Sequence, residues 1–424
     1  MTITNLPSDL LEEIFSRLPL NSMRAVRLAC KTFYTLSKCK SFAKLHFGKE
    51  TATTKEGESQ MILLMDYNLY LISVVVDGDP YIECKGKLTW LNNSEQVEIS
   101  QVIHFEGLML CILKKDTRLV VWNPYWGQTR WIEPRYSHHL IGCERFSYAL
   151  GYVGNISCRS HKLLRFIDYF FHGPELEWYE IYDFESGLWT TLDVTPHWCI
   201  SLGSHGISIK GNTYWSAITR NSCSRGLTIY DHDHIICFDF TSERFGPLLP
   251  LPLNAEYYGD VILSSVKEEK LAVLQQQNRA NPYMFDIWIT INIESDHVSW
   301  TKFLKVDMET VMGTPFTSSE SFFIDEKNKI AMGFDETLNP YTISIFGEAG
   351  YYKQVNLEQH ANTWSRSQMC TYVPSLLQIK QLHLIQVENM FHHLKIQRKK
   401  KTTLESIDIR YDENMLDLLH YGEA

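Results

Sequence analysis

One pattern constrains this chain more than any other: an apolar run of strand character, a short polar turn, then a second run carrying aromatics. The turns are Asn123-Pro124, Phe184-Glu185-Ser186-Gly187, Phe240-Thr241-Ser242-Glu243, Glu294-Ser295-Asp296 and Gly347-Glu348-Ala349-Gly350. They recur roughly every 50–60 residues, an interval that holds about four short strands. A lone four-stranded sheet leaves apolar faces and bare edges. Packing each unit on the next and closing the ring removes both. The repeat therefore predicts a β-propeller, with about five or six blades between residues 60 and 380. A pair of β-sandwiches is the alternative that the same runs allow.

The front of the chain has a different period. Leu10, Ile14 and Leu18 recur at spacing four, with Leu11 and Phe15 alongside, which makes a broad apolar helical face. Asp9 is a natural cap, and Glu12 and Glu13 suit the positive end of the helix. Pro19 interrupts the pattern, and Asn21 caps a second helix over 22–29. A third apolar set follows at Phe33, Leu36, Phe42, Leu45 and Phe47. Three short helices bury little surface by themselves, so part of this apolar surface is expected to dock on something else. Packing on the main domain and docking on another protein are both open at this point.

The domain organisation follows. Residues 1–47 are a small all-α module of three helices. Residues 48–60, GKETATTKEGESQ, are a polar linker. Residues 61–380 are a mainly antiparallel β domain, so the chain as a whole is α+β and multidomain. Gln368 to Ile379 is read as a last strand that closes the ring. Residues 381–424 are a tail of mixed signals.

Composition removes several function classes. Of 424 residues, 44% are apolar and 13% aromatic, enough for a large core. A net charge of −10 speaks against a general nucleic-acid binder. The basic run Arg398–Lys401 is local and reads as solvated surface. The first residues lack a signal peptide, and no apolar run reaches the ~20 residues of a membrane span. The ten cysteines are scattered with no CxxC pair, so they read as reduced thiols of a cytoplasmic or nuclear protein. No G-x-S-x-G, H-E-x-x-H, P-loop or G-x-G-x-x-G occurs. His232 and His234, with Asp231 and Asp233 beside them, read as a polar loop rather than a metal site. His138-His139 and His392-His393 point apart on a strand and are poor chelators. No catalytic residue, metal or cofactor is expected.

The residues of the front carry a resemblance. Leu6-Pro7, Asp9-Leu10-Leu11, Ile14, Leu18-Pro19, Val26-Arg27, Cys30-Lys31 and Phe33 resemble an F-box, collinearly from Leu6 to Leu45. The phrases VVWNPYWGQTRWIEPR (120–135), YALGYV (148–153), YEIYDFESGLWTTLD (179–193) and FDFTSERFGPLLPLP (238–252) resemble the plant F-box-associated interaction domain of type 1, which is kelch-related. The resemblance implies a land-plant protein whose front binds a Skp-class adaptor, and through it a cullin and a RING subunit. It implies a non-catalytic substrate receptor of an SCF-type ubiquitin ligase, with the β domain recruiting an unidentified protein target. By the same resemblance Leu6, Pro7, Leu10, Ile14, Leu18, Pro19, Val26, Arg27, Cys30 and Lys31 are adaptor-facing or module-building positions. The sequence does not sort the two groups. Within WNPYWGQTRWI, Trp122, Trp126 and Trp131 are expected to pack between blades. Two rival readings remain: a propeller enzyme, or an F-box protein that has lost its target.

Overall fold

The structure is a computed structural model. It describes residues 8–18, 35–36, 42, 45–46, 58–76, 78–88, 97–114, 118–135, 146–154, 159–169, 176–200, 205–220, 234–252, 261–267, 269–278, 281–307, 321–334, 342–356, 368–375, 377 and 379.

Six antiparallel sheets form the ring, so the blade number is six. Blade 2 shows the plan in sequence order from the axis outward: Ile99–Phe105, Leu108–Leu113, Leu119–Asn123 and Gln128–Ile132. Blade 3 repeats it with Ser147–Val153, Ser160–Tyr169, Leu176–Asp183 and Trp189–Thr191. Blade 4 is built on Ile207–Ile209, Asn212–Thr219 and His234–Asp239. Its outer edge is split between Arg244–Phe245 and Leu249–Pro250. Blade 5 holds Val261–Val266, Lys270–Asn278, Asn281–Ile293 and Val298–Asp307, and blade 6 holds Ser321–Asp325, Ile330–Phe334, Thr342–Gly347 and Tyr352–Asn356.

Blade 1 departs from the plan. Its three outer strands, Glu58–Met65, Asn68–Val75 and Tyr81–Leu88, come from the start of the β domain. Its innermost strand is Gln368–Thr371, paired with Met61–Leu64. The last described strand thus closes the ring as expected.

The five recurrent turns are one structural feature. Each joins the third strand of its blade to the fourth, in blades 2 to 6. Two are bound by an aspartate at the end of the third strand: Asp183 Oδ1 accepts from the backbone N–H of Glu185 and Ser186, and Asp239 Oδ1 from that of Thr241. Gly127 and Gly187 end their turns in the left-handed region, where a side chain costs energy.

The apolar core is divided among the blade boundaries. Six clusters occupy the six interfaces, from Leu69, Val120 and Trp122 between blades 1 and 2 to Met61, Val74 and Ile345 between blades 6 and 1. Inner strands are therefore covered on both sides and read as continuous apolar runs without alternation, as in the fully buried Leu108–Leu113. Trp122 and Trp126 pack in the cluster between blades 1 and 2, as expected. Trp131 does not. It lies on the outermost strand, 39% exposed, under the Arg118 guanidinium, because the fourth strand of a blade turns one side to solvent.

The ring has two unlike faces. Turns joining first to second and third to fourth strands lie on one face, here the turn face. Within and between blades 2 to 6 they span two to six residues. On the opposite face the fourth strand of each blade leads to the first strand of the next. These connections are 89–98, 133–146, 192–206, 251–260, 308–320 and 357–367, ten to fifteen residues each. This is the connection face. Among the described residues no helix is long and apolar enough to cross a membrane.

Candidate functional site

The helix Ser8–Phe15 (α1) places its apolar residues on two sides. Leu11 and Phe15 turn inward and form a small core with Phe42, joined by Leu18 and Leu36. Leu10 and Ile14, one turn apart, face outward at 51% and 48% exposure. Two large aliphatic side chains left side by side in water cost hydrophobic free energy of about 1.5–3 kcal/mol each relative to burial. They make an apolar stripe bordered by the exposed Glu13–Arg17 ion pair at 2.7 Å. The helix starts at Ser8, so Asp9 falls inside the first turn rather than capping it.

The stripe separates the sequence-predicted positions. Leu10 and Ile14 lie on the outer surface, and Leu18 belongs to the internal core of the module. Leu6, Pro7, Pro19, Val26, Arg27, Cys30 and Lys31, with the second helix, lie outside the described residues. So do His138, His139, His232, His392, His393 and the Arg398–Lys401 run.

The module is seated on the turn face of the ring at blade 2. His46 is fully buried, with Nε2 2.7 Å from the Leu18 carbonyl oxygen and Nδ1 3.1 Å from the Tyr125 hydroxyl. Since a carbonyl only accepts, Nε2 donates to Leu18, which leaves Nδ1 to pair with the Tyr125 hydroxyl. Phe42 stacks on His46 at 5.9 Å between ring centroids. Sequence reasoning missed this seat. The partners are 79 positions apart, and the only local signs are a histidine within the apolar set ending the module and a tyrosine inside a turn.

The same turn holds the chain beyond the closing strand. Asn123 Nδ2 donates to the carbonyls of Ser375 at 3.2 Å and Leu377 at 2.7 Å, and Gln128 Oε1 accepts from the Ile379 N–H at 2.9 Å. Gly107 lies under this segment: a Cβ there would come within 2.2 Å of the Ser375 Cβ.

The inner strands line a small, partly open cavity of about 80 Å³, bordered by His104, His205, Ser264, Ser321 and Gln368. Gln101 Nε2 and His205 Nδ1, 2.8 Å apart, link blade 2 to the segment leading into blade 4. Burial lowers the His104 pKa to about 4, so its imidazole is neutral near pH 7 and Nε2 accepts from the Gly107 N–H at 3.0 Å. Burial also raises the Cys111 and Cys237 thiols, the latter to about 12, which leaves both protonated and poor nucleophiles. Among the described residues no group of three or more His, Cys, Asp or Glu side chains is arranged to hold a metal.

Between blades 3 and 4, on the connection face, Arg220 lies 2.9 Å from Asp168 and 2.5 Å from Glu177 and donates to the Trp198 carbonyl at 3.0 Å. Burial raises the Asp168 pKa to about 6 against the opposing pull of Arg220.

Comparison with known proteins bears on both parts. The family model of the F-box associated beta propeller domain matches residues 60–379, and that of the F-box domain matches residues 3–45. An F-box/kelch-repeat protein of Arabidopsis thaliana is 50% identical, covering 97% of this chain and 95% of its own. A second from the same plant is 53% identical over 89% of this chain and 91% of its own. Among solved structures, a chain of a nidogen/laminin complex is similar at a TM-score of 0.39 and 9% identity, over 75% of this chain and 99% of that one.

Proposed function

Because the chain belongs to the F-box proteins that carry an F-box associated β-propeller domain, we propose that it is the substrate receptor of an SCF-type ubiquitin ligase. The observation that supports this most directly is the exposed pair Leu10 and Ile14 on a helix whose other side already has its core. In this reading the stripe docks in an apolar groove of a Skp-class adaptor, and the adaptor ties the chain to cullin and RING subunits. Leu6, Pro7, Pro19, Val26, Arg27, Cys30 and Lys31 complete the docking module, and Leu18 builds it from within.

The propeller holds a protein target. With the module seated on the turn face, the connection face is the free side for that target. The chain itself transfers nothing. It keeps the target near a charged conjugating enzyme, which makes a rare encounter nearly intramolecular. Such work belongs to the cytosol or the nucleus.

The test is co-purification of the full chain with a plant Skp-class adaptor, beside Leu10→Ala/Ile14→Ala. The double variant is expected to bind about 30-fold or more weakly, the equivalent of ~2 kcal/mol, with unchanged thermal unfolding because both side chains are exposed. Equal affinity of the two proteins would overturn the assignment of this stripe.

A further inference from the structure

An unbroken line of buried contacts runs from the exposed stripe to the propeller core. Leu11 and Phe15, on the inner side of α1, pack on Phe42. Phe42 stacks on His46, and His46 meets Tyr125, whose ring centroid is 5.6 Å away. Tyr125 is fully buried and stands edge-on to Trp126 at 5.4 Å and 90°. Trp126 belongs to the core between blades 1 and 2. The turn carrying both aromatics is itself clamped. Asn123, also fully buried, accepts from the Trp126 N–H at 3.2 Å while its amide holds Ser375 and Leu377.

Such a line does two things that a flexible tether does not. Close-packed aromatic contacts have few alternative arrangements, so they fix an angle as well as a distance. The hydrogen bonds of His46 go in two directions, one into the module at Leu18 and one into the ring at Tyr125. The imidazole therefore belongs to neither body alone.

We propose that His46 and Tyr125 are positioning residues that fix the orientation of the adaptor-docking helix relative to the propeller. The inference rests on the receptor reading for its purpose, though the joint itself is independent of that reading. Its consequence is geometric. A target on the connection face is presented at a set distance and angle from whatever holds Leu10 and Ile14. Loosening the joint lowers the rate of group transfer to that target without weakening either binding event.

The experiment is single-molecule energy transfer on the full chain, free and adaptor-bound, with dyes on click-reactive residues at positions 17 and 291. Both positions are exposed, one beside α1 and one on blade 5. Wild type is expected to give one narrow distribution. Tyr125→Phe, which keeps the ring and removes the hydroxyl, is expected to broaden it. His46→Ala is expected to broaden it more. Adaptor affinity should stay within about twofold for both, and the propeller's unfolding temperature should be unchanged for Tyr125→Phe. A wild-type width retained in both variants would overturn the proposal. So would a broadening that appears only together with loss of adaptor binding, because the residues would then support the module's fold rather than its orientation. Failure of wild type to bind the adaptor would sink the receptor reading, while the widths of the free chain would still decide the joint.

Discussion

The two faces of the ring differ in how they are tied. Among the described residues, ion pairs on the turn face cross four of the six blade boundaries: Glu106–Arg159, Lys162–Glu243, Lys270–Glu326 and Lys353–Asp79. Contacts there are close enough that glycine is required: a Cβ on Gly151 would meet the Phe240 ring at 2.2 Å, and one on Gly246 would meet the Ser295 carbonyl oxygen at 2.5 Å. The connection face has its ten- to fifteen-residue segments and, between blades 3 and 4, the Asp168–Arg220–Glu177 group. Where neighbouring turns touch, a change of length disturbs two blades at once. Where a connection between blades is long, a change of its length is expected to cost the blades little.

Insertion is the strongest way to break this contrast. Three residues placed between Glu106 and Gly107 are expected to destabilise the ring by about 3 kcal/mol or more, since that turn lies against Ser375 and pairs with Arg159. The same three residues placed in the middle of the 308–320 connection are expected to cost under about 1 kcal/mol. Equal losses in urea unfolding would remove the distinction between the faces.

Acid titration sharpens the contrast, because His104 near the turn face and Asp168 on the connection face are shifted in opposite directions. Burial depresses His104 to about 4 in the fold, below its ordinary 6.5. The unfolded chain then binds the extra proton, so this contribution is complete above pH 6.5 and is lost as pH falls through about 4. Asp168 is raised to about 6 from 3.8. The folded chain binds that proton, so its contribution is complete below 3.8 and is lost as pH rises through about 6. Each amounts to on the order of 3 kcal/mol. Unfolding temperatures across pH 4–7 are expected to diverge in opposite directions. Wild type loses ground to His104→Gln on acidification and gains on Asp168→Asn. Parallel curves would show that neither group is held away from its ordinary range.

The smallest effect separates the ion pairs themselves. Lys162→Gln is expected to cost up to about 1 kcal/mol, because Lys162 is mostly covered. Lys353→Gln is expected to cost under about 0.5 kcal/mol, because its partner Asp79 is 92% exposed. Matching values from denaturant unfolding would mean that coverage does not grade these pairs.

The sequence revealed this architecture unevenly. The hairpin of third and fourth strands was legible in five blades, because its turn needs polar residues and its outer strand carries aromatics. Blade 1 hid itself, since its strands come from both ends of the β domain and Tyr81–Leu88 reads YIECKGKL, without the aromatic phrase. The count of five or six could not be narrowed for that reason. On α1 the helix was legible and its two sides were not. Leu10, Leu11, Ile14 and Phe15 are equally apolar, and only Phe42, far along the chain, decides which of them turn inward. Trp131 was misassigned because three tryptophans in one phrase look alike until the outermost strand is known. The His46–Tyr125 contact left no periodic mark at all.

Ring closure by Gln368–Thr371 also has a temporal side. The helix that exposes Leu10 and Ile14 leaves the ribosome before the strand that seals the propeller, which follows about 350 residues later. At about 5–20 residues per second, roughly 20–70 s separate the two events. For most of that interval, from the synthesis of Glu58–Met65 to that of Gln368–Thr371, the inner edge of Glu58–Met65 stands open. That edge is a template for pairing with the wrong strand until the last one arrives.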